Sequence, residues 1–311
     1  MERNRWRERA ERHQVALYLL AIAAGLALGA LAPGTAPPLE VAVEPAIAAL
    51  LLVTFHGIPL RGAAAALRDG RFLLTLLAMN FLVVPLIVLL LTRPLTDSPE
   101  LLLGALLVLL APCIDYVIVF TALAGGAHER LLAATPLLML AQLLALPVLV
   151  PLLSGGEAPG MIAPGPFVRT LLLLIVLPLV AAALLQRLAP RLDLSAAMVP
   201  LMVLVLATVV ASQTPRVLGA GSALLVLVPV YVAFLVLATA AGLLTARLAR
   251  LGAAESRALT FSGATRNSLV VLPLALAMPS PLIAAAVVTQ TLVELLGMVV
   301  LVRMLPRLVS R

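Results

Sequence analysis

Six polar residues stand deep in apolar sequence: Cys113, Asp115, Gln142, Arg266, Asn267 and Glu294. Four of them repeat at one interval. Asp115 and Asn267 are 152 residues apart, and so are Gln142 and Glu294. The flanks of the second pair align without a gap, residues 141–150 (AQLLALPVLV) against 293–302 (VELLGMVVLV). Each full charge costs about 2.5–3.5 kcal/mol at the centre of a membrane helix, so such residues usually face a cavity or a partner. Their chemistry is varied. Asp115 and Arg266 can form an ion pair, and Glu294 can carry a proton. Cys113 offers a soft thiol, and Asn267 and Gln142 offer hydrogen bonds. Rare polar groups at matching depth in two copies of one membrane unit point to a carrier with a central site between repeats.

The backbone around these residues is a poor continuous helix. Pro112 removes a donor and clashes with the preceding turn, just before Cys113 and Asp115. The corresponding stretch of the second copy, Ser262-Gly263-Ala264-Thr265-Arg266-Asn267-Ser268, is a cluster of small and polar residues. Either break alone reads as a kink or as close packing of small residues. Both together, at symmetric positions and with charges, predict two interrupted helices whose ends meet. Broken backbone at that depth must be satisfied by protein or water. Asn80 and Tyr116 are further candidates for a polar cavity, and His56 reads as structural or interfacial.

The elements that must position these residues are apolar runs near the 20 residues a span needs. They cover approximately 15–31, 45–60, 72–92, 100–125, 130–153, 167–185, 195–212, 222–246, 256–278 and 281–304. The expected fold is an all-α membrane protein of ten transmembrane helices, as two five-helix repeats with discontinuous crossing helices four and nine. An odd number of spans inverts the second repeat. Residues 1–153 form the first repeat, 154–166 a Gly- and Pro-rich extracytoplasmic linker, and 167–311 the second repeat.

Charge gives an independent orientation. All 21 basic residues are Arg. With a cytoplasmic N-terminus, 17 Arg fall inside, and Arg93, Arg169 and Arg216 fall outside; Arg266 lies within a span. Both termini are therefore expected in the cytoplasm, and the protein in a bacterial-type inner membrane. The net charge of +7 does not indicate nucleic acid, because the Arg residues sit in the short gaps between runs. Apolar residues make up 63% of the chain, far more than one soluble core needs. One Cys allows no internal disulfide or multi-thiolate cluster, and no metal-ligand spacing, phosphate loop or nucleophile elbow appears. The expectation is no enzyme, no cofactor and no resident metal. Ala30-Leu31-Ala32 resembles a cleavage box, but the preceding stretch is long and mixed in charge, so the first run is expected to remain.

Ala111-Pro112-Cys113-Ile114-Asp115, the later Ala124-Gly125-Gly126, and Thr265-Arg266-Asn267-Ser268 with its apolar tail resemble the bile acid:sodium symporter superfamily. The closest branch is the arsenical-resistance one, the arsenite efflux permeases. The resemblance implies a panel of helices 1, 2, 6 and 7 and a core of helices 3–5 and 8–10. It implies that helices four and nine unwind and cross. Arsenite permeases carry a functional Cys in helix four, and Cys113 matches it, as a metalloid contact. Sodium-coupled members carry Glu and Gln where this chain has Ser262 and Arg266. A fixed cation there favours a proton over sodium as the coupling ion.

These readings converge on a secondary transporter exporting arsenite or a related oxyanion by ion-coupled alternating access. Cys113, Asp115, Arg266 and Asn267 would contact the solute. Glu294, Gln142, Pro112, Thr265, Ser268 and Ser262 are the coupling or helix-break candidates. The alternative is a symporter of organic anions, with Arg266 as the clamp. An intramembrane enzyme and a non-transporting sensor are minor alternatives. The partners are the lipid bilayer and a small inorganic oxyanion or organic anion.

Overall fold

Apolar sequence of this length satisfies its backbone inside helices, and the computed structural model is built of them. It describes residues 2–57, 70–114, 116–155, 172–189 and 192–309. The helices are α1 (Glu2–Leu31), α2 (Ala36–Gly57), α3 (Gly70–Ala78), α4 (Val84–Thr92), α5 (Pro99–Leu109), α6 (Tyr116–Leu123) and α7 (His128–Leu153). After these come α8 (Leu177–Leu188), α9 (Met198–Ala220), α10 (Leu227–Leu248), α11 (Ala253–Ala264), α12 (Ser268–Leu276) and α13 (Pro281–Leu308). Five helical segments are long and apolar enough to cross a bilayer: Pro33–Gly57, Gly70–Leu95, Ser195–Gly219, Gly221–Leu248 and Pro281–Leu308. Ala16–Leu31, Pro99–Leu109, Leu144–Leu153 and Leu177–Leu188 are shorter apolar helices. Large apolar side chains lie open on many of them, Leu144, Leu152, Leu188 and Leu248 each at 72–80% exposure. In water such faces would aggregate, whereas in hydrocarbon they are at home.

Several helices outrun their apolar signal. α1 starts at Glu2 rather than residue 15, because its Arg- and Glu-rich leader has good helix propensity. α2 starts at Ala36 rather than residue 45, with Pro37 and Pro38 in a first turn that needs no intrahelical N–H. α9 continues past residue 212 through Ser212-Gln213-Thr214-Pro215 to Ala220. Between α3 and α4 the chain widens into one π-turn, Met79–Val83. Such turns leave a backbone irregularity often found at functional sites.

The chain divides into two compact units, each drawing on both halves of the sequence. One joins Met1–Ile58 with Pro164–Gly221. Its α1 and α9 cross closely at Gly25 and Gly29, where a Cβ would lie 2.8 Å from Ala207 O and 2.5 Å from Ala211 O respectively. Small residues four apart on one face allow that approach. Arg216 of α9 pairs with Glu40 of α2 at 2.8 Å and donates to Gln213 Oε1 at 3.0 Å. Gln186 Nε2 donates to the Phe55 and His56 carbonyls at 3.3 and 2.9 Å, closing the end of α2.

The other unit joins Pro59–Ala163 with Ser222–Arg311. Every residue of α5 from Leu101 to Leu109 is buried, as an all-round apolar helix requires. Gly104 lets α5 pack onto α13, since a Cβ there would sit 2.7 Å from Ala286 Cβ. At the end of α6, Gly125 takes φ +65°. The Arg257 guanidinium closes that turn, donating to the Ala124 and Gly125 carbonyls at 3.1 Å each and to Val309 O at 2.8 Å.

Candidate functional site

Both sequence breaks are real interruptions of helix, and they pair with each other. α5 stops at Leu109 and α6 begins at Tyr116; α11 stops at Ala264 and α12 begins at Ser268. Between them Pro112 and Arg266 form an isolated antiparallel bridge. The Asn267 N–H donates to Ala111 O at 2.7 Å, and the Cys113 N–H donates to Thr265 O at 3.4 Å. Each extended segment thus satisfies the other where lipid offers nothing.

Two helices end at this crossing and two begin. The carbonyls at the end of α5 and α11 carry partial negative charge, and a cation there is favourable. Arg266 supplies it. Its side chain is wholly buried and donates to Leu109 O at 3.3 Å, Ser262 O at 2.7 Å and Gly263 O at 2.7 Å. A further bond goes to Asn80 Oδ1 at 3.0 Å, and the Phe234 ring lies 5.4 Å below the guanidinium. Asn80 sits in the π-turn. Its Nδ2 donates to Leu76 O and to Ser262 Oγ, both at 3.0 Å. A guanidinium thus fills an oxygen-lined cage between two helix ends.

Glu294 of α13 reaches the same crossing. Its Oε2 accepts the Arg266 backbone N–H at 2.8 Å and a bond from Gln290 Nε2. It therefore braces the crossing peptide itself, one helical turn from Gln290 on the same face of α13. Gln290 is a site residue that the sequence analysis missed, although its four-residue spacing from Glu294 was the available signal.

The beginning of α12 carries the opposite polarity. Asn267 is its N-cap, with Oδ1 accepting the Val270 N–H at 3.2 Å. Asn267 Nδ2 and Ser268 Oγ are buried without a hydrogen-bond partner, and so are Gln290 Oε1 and Thr121 Oγ1. Buried polar atoms are nearly always paired, so orphans at a helix N-terminus mark a place for a ligand or water. Nothing in the sequence singled out Thr121.

The other candidates separate clearly. Thr265 Oγ1 donates to Phe261 O at 2.8 Å, within its own helix turn. Ser262 serves the Arg266 cage, and Pro112 forms the crossing bridge. Cys113 is fully buried in the crossing. Gln142 is buried on α7. Asp115, the side chain of Tyr116 and most of the linker lie outside the described residues, and with them the expected Asp115–Arg266 pair. Among the described residues no group of His, Cys, Asp or Glu could hold a metal ion.

A comparison with curated proteins finds no match. A family model does match, over residues 14–306, which takes in both interrupted helices and nearly every element above. Many apolar helices and a polar crossing at their centre suit what that family comprises, membrane transporters; the chain belongs to the SBF-like CPA transporter family.

Proposed function

We propose that this transporter is an alternating-access carrier for a small oxyanion or oxyacid, with arsenite as the first candidate and export as its direction. It would be built of two inverted five-helix repeats offset by 152 residues, with both termini in the cytoplasm of a bacterial-type inner membrane. The observation that carries the reading is the pair of orphaned groups at the start of α12, Asn267 Nδ2 and Ser268 Oγ. Two donors at the positive end of a helix suit an oxygen-rich solute. Cys113 lies in the same crossing, bonded through its backbone to Thr265, and a thiol is the soft ligand that trivalent arsenic prefers. Asp115 would complete the solute contacts.

The Arg266 cage bears on coupling. Its carbonyl and amide oxygens have the chemistry of a hard-cation site, and the chain's own positive group occupies it. A carrier with a tethered cation needs no sodium there. Glu294, which holds the crossing peptide, is the carboxyl placed to exchange a proton as the crossing rearranges.

The orphaned donors match an organic carboxylate equally well, which supports the second reading, an organic-anion symporter. Flux into proteoliposomes separates the two. With sodium and pH gradients imposed separately, arsenite flux should follow the pH gradient alone and fall sharply in Cys113→Ser. Carboxylate flux that ignores Cys113→Ser selects the second reading. Sodium-driven flux of either solute sinks the coupling proposal.

A further inference from the structure

α10 and α13 run parallel and touch. Leu235 of α10 packs onto Gly297 of α13, where a Cβ would collide with it, and the Tyr231 hydroxyl donates to Ala286 O at 3.0 Å. These contacts fix which faces of the pair turn outward, at about 100° per residue. From Leu235, Val232, Val236 and Arg247 are turned one way by about 60°, 100° and 120°. From Gly297, Met304, Val300 and Arg307 are turned in the opposite sense by about 20°, 60° and 80°. In parallel neighbours, opposite senses lead to the same side. The buried residues, Phe234 and Ala238 on α10 and Leu301 and Leu305 on α13, lie on the other side. Val232, Val236, Val300 and Met304 are 44–60% exposed and line one outward groove.

The groove ends in unspent positive charge. Arg247 lies 12 residues beyond Leu235 and Arg307 ten beyond Gly297, which at about 1.5 Å per residue brings both to nearly one level. α11 ties these ends together: Gly242 of α10 packs on Thr260, and one turn earlier Arg257 donates to Val309 O at 2.8 Å, just past α13. Arg247, Arg250, Arg303 and Arg307 are exposed, and among the described residues their guanidiniums make no hydrogen bond or ion pair. Glu255 cannot neutralise them, since it pairs with Arg130 and caps the Gly252 N–H at 2.9 Å. Arg303 and Arg307 stand four apart on one helix, a spacing at which like charges repel. Arg250 takes φ +51° just past α10, where glycine is usual; its N–H donates to Arg247 O and the Leu251 N–H to Ala246 O, both at 3.0 Å. A side chain kept in left-handed backbone points to a use other than folding.

We infer that this groove holds an anionic phospholipid. Its phosphate sits between Arg247 and Arg307, with Arg250 and Arg303 beside it, and its acyl chains run along Val232, Val236, Val300 and Met304. Forked guanidiniums suit phosphate oxygens, and basic pockets between membrane helices are a recognised place for lipid headgroups. The site is separate from the crossing and rests on neither the solute nor the direction of transport.

The test is binding of phosphatidylglycerol to the full chain in detergent, followed by native mass spectrometry, with phosphatidylcholine as the reference of no net charge. The parent should bind phosphatidylglycerol more tightly. Each arginine near an anionic headgroup is worth about five-fold in affinity. Arg247→Gln and Arg307→Gln should therefore each weaken phosphatidylglycerol by about five-fold, and together by about 25-fold, while phosphatidylcholine binds as before. Arg187→Gln removes an exposed arginine from the other compact unit and should change nothing. Equal binding of the two lipids overturns the proposal, as does phosphatidylglycerol binding that survives the double substitution. A loss in Arg187→Gln as large as in Arg247→Gln overturns it too, because diffuse surface charge would then suffice. Soluble glycerol 3-phosphate should not compete; if it displaces phosphatidylglycerol, the occupant is a free phosphate and not a lipid.

Discussion

Replacing Arg266 by Met keeps most of the side-chain volume and removes the charge. Hydrogen bonds to Leu109 O, Asn80 Oδ1, Ser262 O and Gly263 O are lost. Hydrogen bonds to a charged group contribute about 1.5–3 kcal/mol each, so the gross loss is large. Against it stands the desolvation of a guanidinium with no exposed surface, several kcal/mol in its own right. Removing one partner from such a buried network typically costs about 3–5 kcal/mol, because the remaining acceptors stay buried and unmet. For a unit of this size that is a fall of about 6–20 °C in unfolding midpoint. The distinctive part is the rescue. An emptied oxygen cage between two helix C-termini should take up a small monovalent cation. Thermal unfolding in sodium chloride against choline chloride, at equal ionic strength, should show no cation preference for the parent. Arg266→Met should recover part of its loss in sodium, and guanidinium at low millimolar concentration should act similarly. A variant as stable as the parent would refute the bracing role. A parent stabilised by sodium would refute the tethered-cation reasoning, whatever the variant does.

Further outcomes follow from other contacts. Glu294→Gln keeps an oxygen for the Arg266 N–H but cannot release a proton, so it should retain solute exchange and lose flux driven by a pH gradient; pH-driven flux equal to the parent's would remove Glu294 from coupling. Gly104→Val forces a side chain into a space where even a Cβ meets Ala286 at 2.7 Å and Ile283 O at 2.8 Å, and should destabilise by about 1–3 kcal/mol or more, read as a lower unfolding midpoint. Glu40→Gln breaks an ion pair whose two side chains are each about one-third exposed, at 34% and 32%, so its effect should stay below about 1 kcal/mol and shrink further in high salt.

The positions of the helices were largely legible, because apolar runs between Arg-bearing gaps are a one-dimensional signal. Their ends were less so. Glu40 and Glu44 hid the first turns of α2, and Ser212-Gln213-Thr214 hid the last turns of α9, since polarity alone does not stop a helix that finds partners. Pro112 and the Ser262–Ser268 cluster marked both interruptions correctly, as local backbone chemistry can.

What sequence determined by itself was the material: apolar helices, two places where helix cannot continue, and a few ionisable residues that hydrocarbon would not tolerate alone. Which groups those residues meet was decided in three dimensions. Arg266 finds its acceptors at Leu109 and Asn80, 157 and 186 residues away, and at its own helix end. Glu294 meets the Arg266 backbone N–H as well as the Gln290 side chain, and a π-turn that no periodicity announces carries Asn80 to the cage. Hydropathy and proline act through neighbours in the chain. A buried charge is settled by whatever carbonyls converge on it, and that convergence exists only once the helices have packed.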